Sequence, residues 1–363
     1  MEHTMRAAVL FETGHETLTV RDDLTVDDPG PGQVKIRIRA TGVCHSDLSA
    51  MTGVLPQPAP FVPGHEGAGE VVAVGEGVSR VAVGDHVVVC WNPPCGECGD
   101  CRRGEGNLCV HIFFGMTFQP HFKLDGNAVY GFAGSGTFAE EMVVPWQCAV
   151  KIPDDVPFEV GALIGCGVTT GVGAVLNTAR VEPGSSVAVI GAGGVGIAVI
   201  QGARIAGAAE IVAVDPVQAK HEAALRFGAT RAVRPEDADA AKAEVTGGAG
   251  FDYVFEVVGR SALVRQAYAL TRRGGTVTVV GAGKNDDHVT FDMFQLFFDN
   301  KKILGSYYGG TDPRREYDRL IALWRAGRLD LEGMITARLK LDDINQALDL
   351  LRSGAAIRTI IEV

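Results

Sequence analysis

The sequence predicts an α/β protein in which a β-rich region is joined to a doubly wound parallel sheet. Three observations carry this. At 363 residues the chain is long for a single core, so two domains are expected. The first 150 residues are rich in Val, Gly and Pro and read as short strands between turns. From about residue 168, short apolar segments alternate with stretches of helical spacing, the pattern of a parallel sheet with crossover helices.

Taken in order, QVKIRIRATGV, GAGEVVAVGEGV and DHVVVC alternate or run apolar between glycine turns, as strands of a compact β domain do. Residues 110–135 are rich in aromatics without a clear period and are expected to form a long loop over a pocket. The strands SSVAVIG, EIVAVD, FDYVFEVVG, GTVTVVG and KKILGSYY follow, with helices at VQAKHEAALRFGA and ALVRQAYALTRRG. After Gly310 the chain returns to helix in REYDRLIALWRAGRL and DDINQALDLLRSG, then closes on the strand IRTIIEV.

Composition narrows the function. A hydrophobic share of 46% and a charged share of 21% are ordinary for a globular protein. The net charge of -11 disfavours a surface that grips phosphate backbones or anionic membranes, so neither a nucleic acid nor a membrane is an expected partner. The start MEHTMRAAVLFETGHE has no long apolar core behind a basic end, and a cytoplasmic location is expected. Eight cysteines without a secretory signal point to metal or catalysis before disulfides. Cys90 and Cys148 read as buried structural thiols.

Three sites stand out. GAGGVG follows the strand SSVAVI and opens a helix, with Gly191, Gly193, Gly194, Val195 and Gly196 shaping the turn. Glycines there permit a tight turn and close backbone approach to a pyrophosphate at a helix N-terminus. Asp215 ends the next strand, where a carboxylate can accept from ribose hydroxyls and repel a 2′-phosphate; this favours NAD over NADP. The second site is CGECGDCRRGEGNLC, in which Cys95, Cys98, Cys101 and Cys109 can close a tetrahedral zinc shell. A closed shell is structural; disulfides and an iron–sulfur cluster are the alternatives. The third is dispersed over GVCHSD, GHEGAGEV and IGCGVTTG. Cys44, His65 and Cys166 would leave one zinc position open for a Lewis-acid role toward alcohols.

In this order, GHEGAGEVVAVGEGV, the four-cysteine lobe, GCGVTTG, GAGGVG and the ending LLRSGAAIRTIIEV resemble the zinc-dependent medium-chain alcohol dehydrogenases over nearly the whole chain. The resemblance implies a GroES-like catalytic domain at 1–167 carrying the zinc lobe at 95–109. A Rossmann domain for NAD follows at 168–309, and 310–363 returns to the catalytic domain. It implies two zinc ions per chain, with Cys44, His65 and Cys166 as catalytic ligands and Glu66 nearby. Asp47 would orient the zinc histidine and Ser46 would receive the alcohol proton. Lys220 would join Asp215 at the adenosine ribose, Val257 would meet the cofactor through its backbone, and His45 and Arg358 would face the pyrophosphate. Pocket positions correspond to Trp91, Phe113, Phe132, Ala133, Ala282 and Tyr307, a wall suited to primary or aromatic alcohols.

Two departures from the family pattern follow. Ser49 stands where many relatives end the proton relay in a histidine, so the exit runs through Ser49, His45 or water. Gly53, Leu55 and Phe113 stand where glutathione-dependent formaldehyde dehydrogenases hold glutathione carboxylates, and on this ground membership of that subclass is not expected. The expected activity is hydride transfer between a small alcohol or aldehyde and NAD, in a homo-oligomer, dimer or tetramer. Alternatives are a nicotinoprotein with tightly bound NAD(H), a zinc-ribbon-like binding module resting on Arg102 and Arg103, and a relative that binds without catalysis.

Overall fold

The computed structural model describes residues 3–363, which divide into two compact units. The first comprises the chain up to Gly167 together with Asp312–Gly327 and Leu331–Val363; the second comprises Val168–Thr311 and Arg328–Asp330.

The first unit holds two sheets. One has five strands in the order Thr4–Val9, Thr19–Val26, Phe122–Leu124, Asn127–Gly131, Phe61–Val62. The other has seven. Its main path runs Ala149–Lys151, His86–Val89, Glu66–Val74, Gln33–Gly42, Arg358–Glu362, Ile335–Lys340, and Glu141–Pro145 also pairs with Gln33–Gly42. Gln33–Gly42 shows why such segments become strands. Val34, Ile36, Ile38 and Ala40 are buried on one face, whereas Arg37 and Arg39 lie on the other and pair with Glu141 and Glu70. The inward faces meet in one core with Val9, Leu24, Phe61, Phe122, Phe138, Met142 and Leu348.

The second unit is a six-stranded sheet, Arg231–Val233, Glu210–Val214, Ser186–Ile190, Phe251–Glu256, Thr271–Val279, Lys302–Gly305, with every pairing parallel. The order reverses direction at Ser186–Ile190, where doubly wound sheets bind their ligands at the carboxyl ends of the strands. Helices Gly194–Ala206, Gln218–Phe227, Ala238–Thr246, Ser261–Leu270 and Met293–Asp299 lie in the five crossovers.

One expectation is corrected. Residues 110–135 are not a structureless loop: they contain the helix His111–Thr117, the hairpin Phe122–Leu124/Asn127–Gly131 and a short turn at Phe132–Gly134. The hairpin turns at Asp125 and Gly126, whose φ values of 50° and 77° give the primed turn that an Asp-Gly pair favours. The two arms are only three and five residues long, too short to show an alternation by themselves. One helical run, Phe158–Ala179, is long and apolar enough to cross a membrane, yet 83% of its window is buried, as in a core helix.

Candidate metal and cofactor sites

The first cluster is assembled around Asp47. Helix His45–Met51 begins at Cys44, and the Asp47 carboxylate turns back to accept the Cys44 N–H at 3.0 Å. Its other oxygen accepts from the Gly64 N–H at 3.1 Å and lies 2.9 Å from His65 Nδ1. One fully buried carboxylate therefore fixes the positions of two donor residues and leaves His65 Nε2 for other work. Cys166 enters from the wide helical turn Ile164–Val168. Donor atoms of Cys44, His65, Glu66 and Cys166 all lie within 4.8 Å of one another, and all four residues are buried.

The crowded donors shift one another's protonation. A hydrogen bond from Cys166 holds the Cys44 thiol well below its ordinary range, and the same bond pushes Cys166 up. Burial is the largest influence on His65 and works against its charged form, but the Asp47 carboxylate and the Cys44 sulfur together outweigh it and raise the imidazole. Burial lifts Glu66 to about 7 even though Arg358 opposes it. Glu66 Oε2 pairs with the Arg358 guanidinium, whereas Oε1 is buried without a hydrogen-bond partner among the described residues. Two soft sulfurs, one imidazole and an orphaned carboxylate oxygen suit a zinc ion better than a hard cation. We expect Asp47→Asn to weaken metal retention here by about 10–100-fold, since it removes the carboxylate that orients His65. Competition with a chelator, followed by counting the retained zinc, measures this.

Among the proton-relay candidates, Ser46 Oγ lies 3.8 Å from Cys44 Sγ. Ser49 sits one turn further along the same helix, half-buried, and His45 is exposed. Two of the pocket aromatics flank His65, and a third packs on one of them. Phe132 and Trp91 meet its ring edge-on at centroid distances of 5.3 and 6.1 Å, and Phe113 stacks edge-on against Trp91 at 6.0 Å. Ala133 adopts a left-handed φ of 51°, and Gln57 braces it, accepting its N–H and donating to the Gly131 carbonyl. Sequence reasoning missed Gln57, because nothing in LPQPAP distinguishes it. Ala282 and Tyr307 lie in the second unit, both exposed.

The second cluster is local. Sulfurs of Cys95, Cys98, Cys101 and Cys109 lie within 4.8 Å of one another. Cys95 Sγ accepts from the Cys98 N–H at 3.3 Å, and Cys109 Sγ accepts from the Cys95 N–H at 3.3 Å. The Glu97 N–H draws the Cys95 thiol down to about 6, and burial pushes Cys101 up to about 12. All eight cysteines are free, so no disulfide competes with metal binding. Four thiols with backbone N–H support fit a closed structural zinc shell.

The dinucleotide turn lies in the second unit. Helix Gly194–Ala206 starts at Gly193, where a Cβ would meet nothing within 4 Å and the backbone is open to a phosphate. At Gly196 a Cβ would sit 1.9 Å from the Gly191 carbonyl oxygen, so only glycine permits this turn. Asp215, 4% exposed, accepts from the Ala192 N–H at 2.8 Å and the Val217 N–H at 2.9 Å, with Lys220 Nζ at 3.7 Å. Val257 donates its N–H to the Ile190 carbonyl beside the turn. These features fit a dinucleotide. Arg358, expected at the pyrophosphate, lies in the first unit with its guanidinium on Glu66.

Comparison with known proteins agrees. Residues 30–154 match the alcohol dehydrogenase GroES-like domain, and residues 194–325 match the zinc-binding dehydrogenase domain. A Synechocystis protein named S-(hydroxymethyl)glutathione dehydrogenase is 40% identical over 98% of this chain and 99% of its own. A zinc-binding-domain alcohol dehydrogenase protein from Burkholderia ambifaria superposes with a TM-score of 0.93 at 35% identity, covering 99% of each chain. Benzyl alcohol dehydrogenase from Acinetobacter calcoaceticus gives 0.91 at 32% identity, again over 99% of each. The first of these relatives overturns the exclusion based on Gly53, Leu55 and Phe113. Three side-chain identities are a weak ground for excluding a subclass whose members share two fifths of the sequence, because charge partners for a substrate carboxylate can come from other positions.

Proposed function

The chain belongs to the zinc-dependent medium-chain alcohol dehydrogenase family, and we propose that it transfers a hydride between a primary alcohol, aliphatic or aromatic, and NAD. It is an oxidoreductase of that family, with zinc and NAD as its cofactors. The observation that carries the proposal is the buried set Cys44, His65 and Cys166, with Trp91 and Phe132 against its histidine and Phe113 against Trp91.

Cys44, His65 and Cys166 would hold the catalytic zinc, and the four lobe cysteines would hold the structural one. When bound, the catalytic ion supplies a Lewis acid that lets an alcohol hydroxyl lose its proton near neutral pH. Asp47 keeps His65 in the tautomer that presents Nε2 to the metal. Ser46 accepts the alcohol proton and passes it toward Ser49, His45 or solvent. The three aromatics exclude water from the reacting carbon and offer an apolar surface to an alkyl or phenyl group. In the second unit, the turn around Gly193 takes the pyrophosphate and Asp215 takes the adenosine ribose.

A second reading is favoured by the Synechocystis relative, namely that the alcohol is S-(hydroxymethyl)glutathione, itself a primary alcohol. The two readings share one reaction and differ in the substrate tail. Comparing kcat/KM for benzyl alcohol with that for formaldehyde plus glutathione, each with NAD, separates them. An aromatic-alcohol enzyme favours the first by tenfold or more. A glutathione enzyme reverses the order, and turnover of neither contradicts both readings.

A further inference from the structure

The sheet of the second unit carries a buried acid that the mechanism above does not use. Glu256 is the last residue of strand Phe251–Glu256, in register with Ile190 at the carboxyl end of the neighbouring strand. It is fully buried. One carboxylate oxygen accepts two successive backbone N–H groups, from Val258 at 2.9 Å and Gly259 at 2.7 Å. The other, Oε2, is buried with no hydrogen-bond partner among the described residues. A carboxyl group buried with an unpaired oxygen costs stability, so packing alone would favour an apolar side chain here.

What the carboxylate holds is the segment that walls the dinucleotide turn. A Cβ on Gly191 would meet the Val258 and Val257 side chains at 2.8 and 3.0 Å, so this segment touches the first glycine of GAGGVG. On its other side, the Glu256 carbonyl accepts from Val280 and Gly281, and a Cβ on Gly281 would lie 2.0 Å from the Gly259 nitrogen. Residues 257–259 are thus clamped between the glycine turn and the segment that leads to Ala282. Without the Glu256 stitch, the Val258 and Gly259 N–H groups lose their acceptor and the turn loses a fixed wall.

We propose that Glu256 is a positioning residue for the cofactor: its carboxylate fixes residues 257–259 against the glycine turn and thereby sets NAD affinity. This rests on the NAD reading given above, and its test separates the two. Glu256→Leu is expected to keep its melting temperature, raise the NAD dissociation constant by tenfold or more, and leave kcat at saturating NAD within twofold. Glu256→Gln, which keeps an acceptor oxygen at the same reach, is expected to restore NAD binding to within about threefold of the wild type. Should Glu256→Leu fail to fold, Glu256→Asp, one methylene short, takes its place with the same expectation. Amide hydrogen exchange at Val258 and Gly259, measured without cofactor, tests the stitch itself. Exchange at least tenfold faster in the Leu or Asp variant, and restored in Gln, supports the proposal. Unchanged exchange, or an NAD dissociation constant within twofold of the wild type, overturns it. A wild-type protein that binds no NAD contradicts the cofactor reading, while the exchange experiment still decides the stitch.

Discussion

Replacing Cys44 with alanine is expected to lower kcat at saturating alcohol and NAD by about three orders of magnitude or more. Zinc content should fall from two ions per chain to one. Cys44 caps its helix, is buried, and supplies one of the two sulfurs that face His65. An alanine fits the same backbone without strain, so the helix and the Asp47 contacts to Gly64 and His65 persist. What is lost is a charged donor in a small set, and with it the ion. Lewis-acid assistance is worth several kcal/mol of transition-state stabilisation, and about 1.4 kcal/mol corresponds to each factor of ten in rate. The four lobe cysteines lie elsewhere in the sequence, bond to one another's backbone and should keep their ion. Metal analysis with steady-state kinetics on the same sample checks both parts. A variant that keeps two zinc ions and full activity would refute the assignment of the catalytic ligands.

The second large effect concerns coenzyme choice. Asp215→Asn is expected to shift the ratio of kcat/KM for NAD over NADP by on the order of 100-fold toward NADP. Two like charges 4 Å apart repel by about 1 kcal/mol in water and about 4 kcal/mol at an effective dielectric of 20, so removing the carboxylate charge relieves a 2′-phosphate by that order. Asparagine keeps one acceptor for the Ala192 or Val217 N–H, so the turn stays formed. Asp215→Ala removes both bonds and should lower the efficiency with either coenzyme. Equal ratios in the wild type and Asp215→Asn would show that the coenzyme is selected elsewhere.

Much of the second unit was legible because its physics is local. Five short apolar runs marked five strands, and GAGGVG sits between a strand and a helix as a phosphate turn requires. The edge strand Arg231–Val233 was not legible: three residues carry no period. In the first unit, the lobe cysteines declare themselves by spacing, whereas Cys44, His65 and Cys166 meet through folding across more than 120 residues. No periodicity records that meeting, and only the family resemblance brought the three together. The Glu66–Arg358 pair joins residues still further apart and was missed for the same reason. The exclusion of glutathione substrates failed differently, because it read a recognition surface from three identities.

The most direct measurement follows a label. Benzyl alcohol with both carbinol hydrogens replaced by deuterium is oxidised with NAD by protein of counted zinc content, and the reduced coenzyme is analysed for deuterium; the glutathione adduct of dideuterated formaldehyde is run in parallel. One deuterium is expected on the nicotinamide per turnover from at least one of these alcohols, with a rate that collapses in Cys44→Ala. Aldehyde formed without label on the coenzyme, or label transfer that proceeds equally fast in Cys44→Ala, would contradict that expectation.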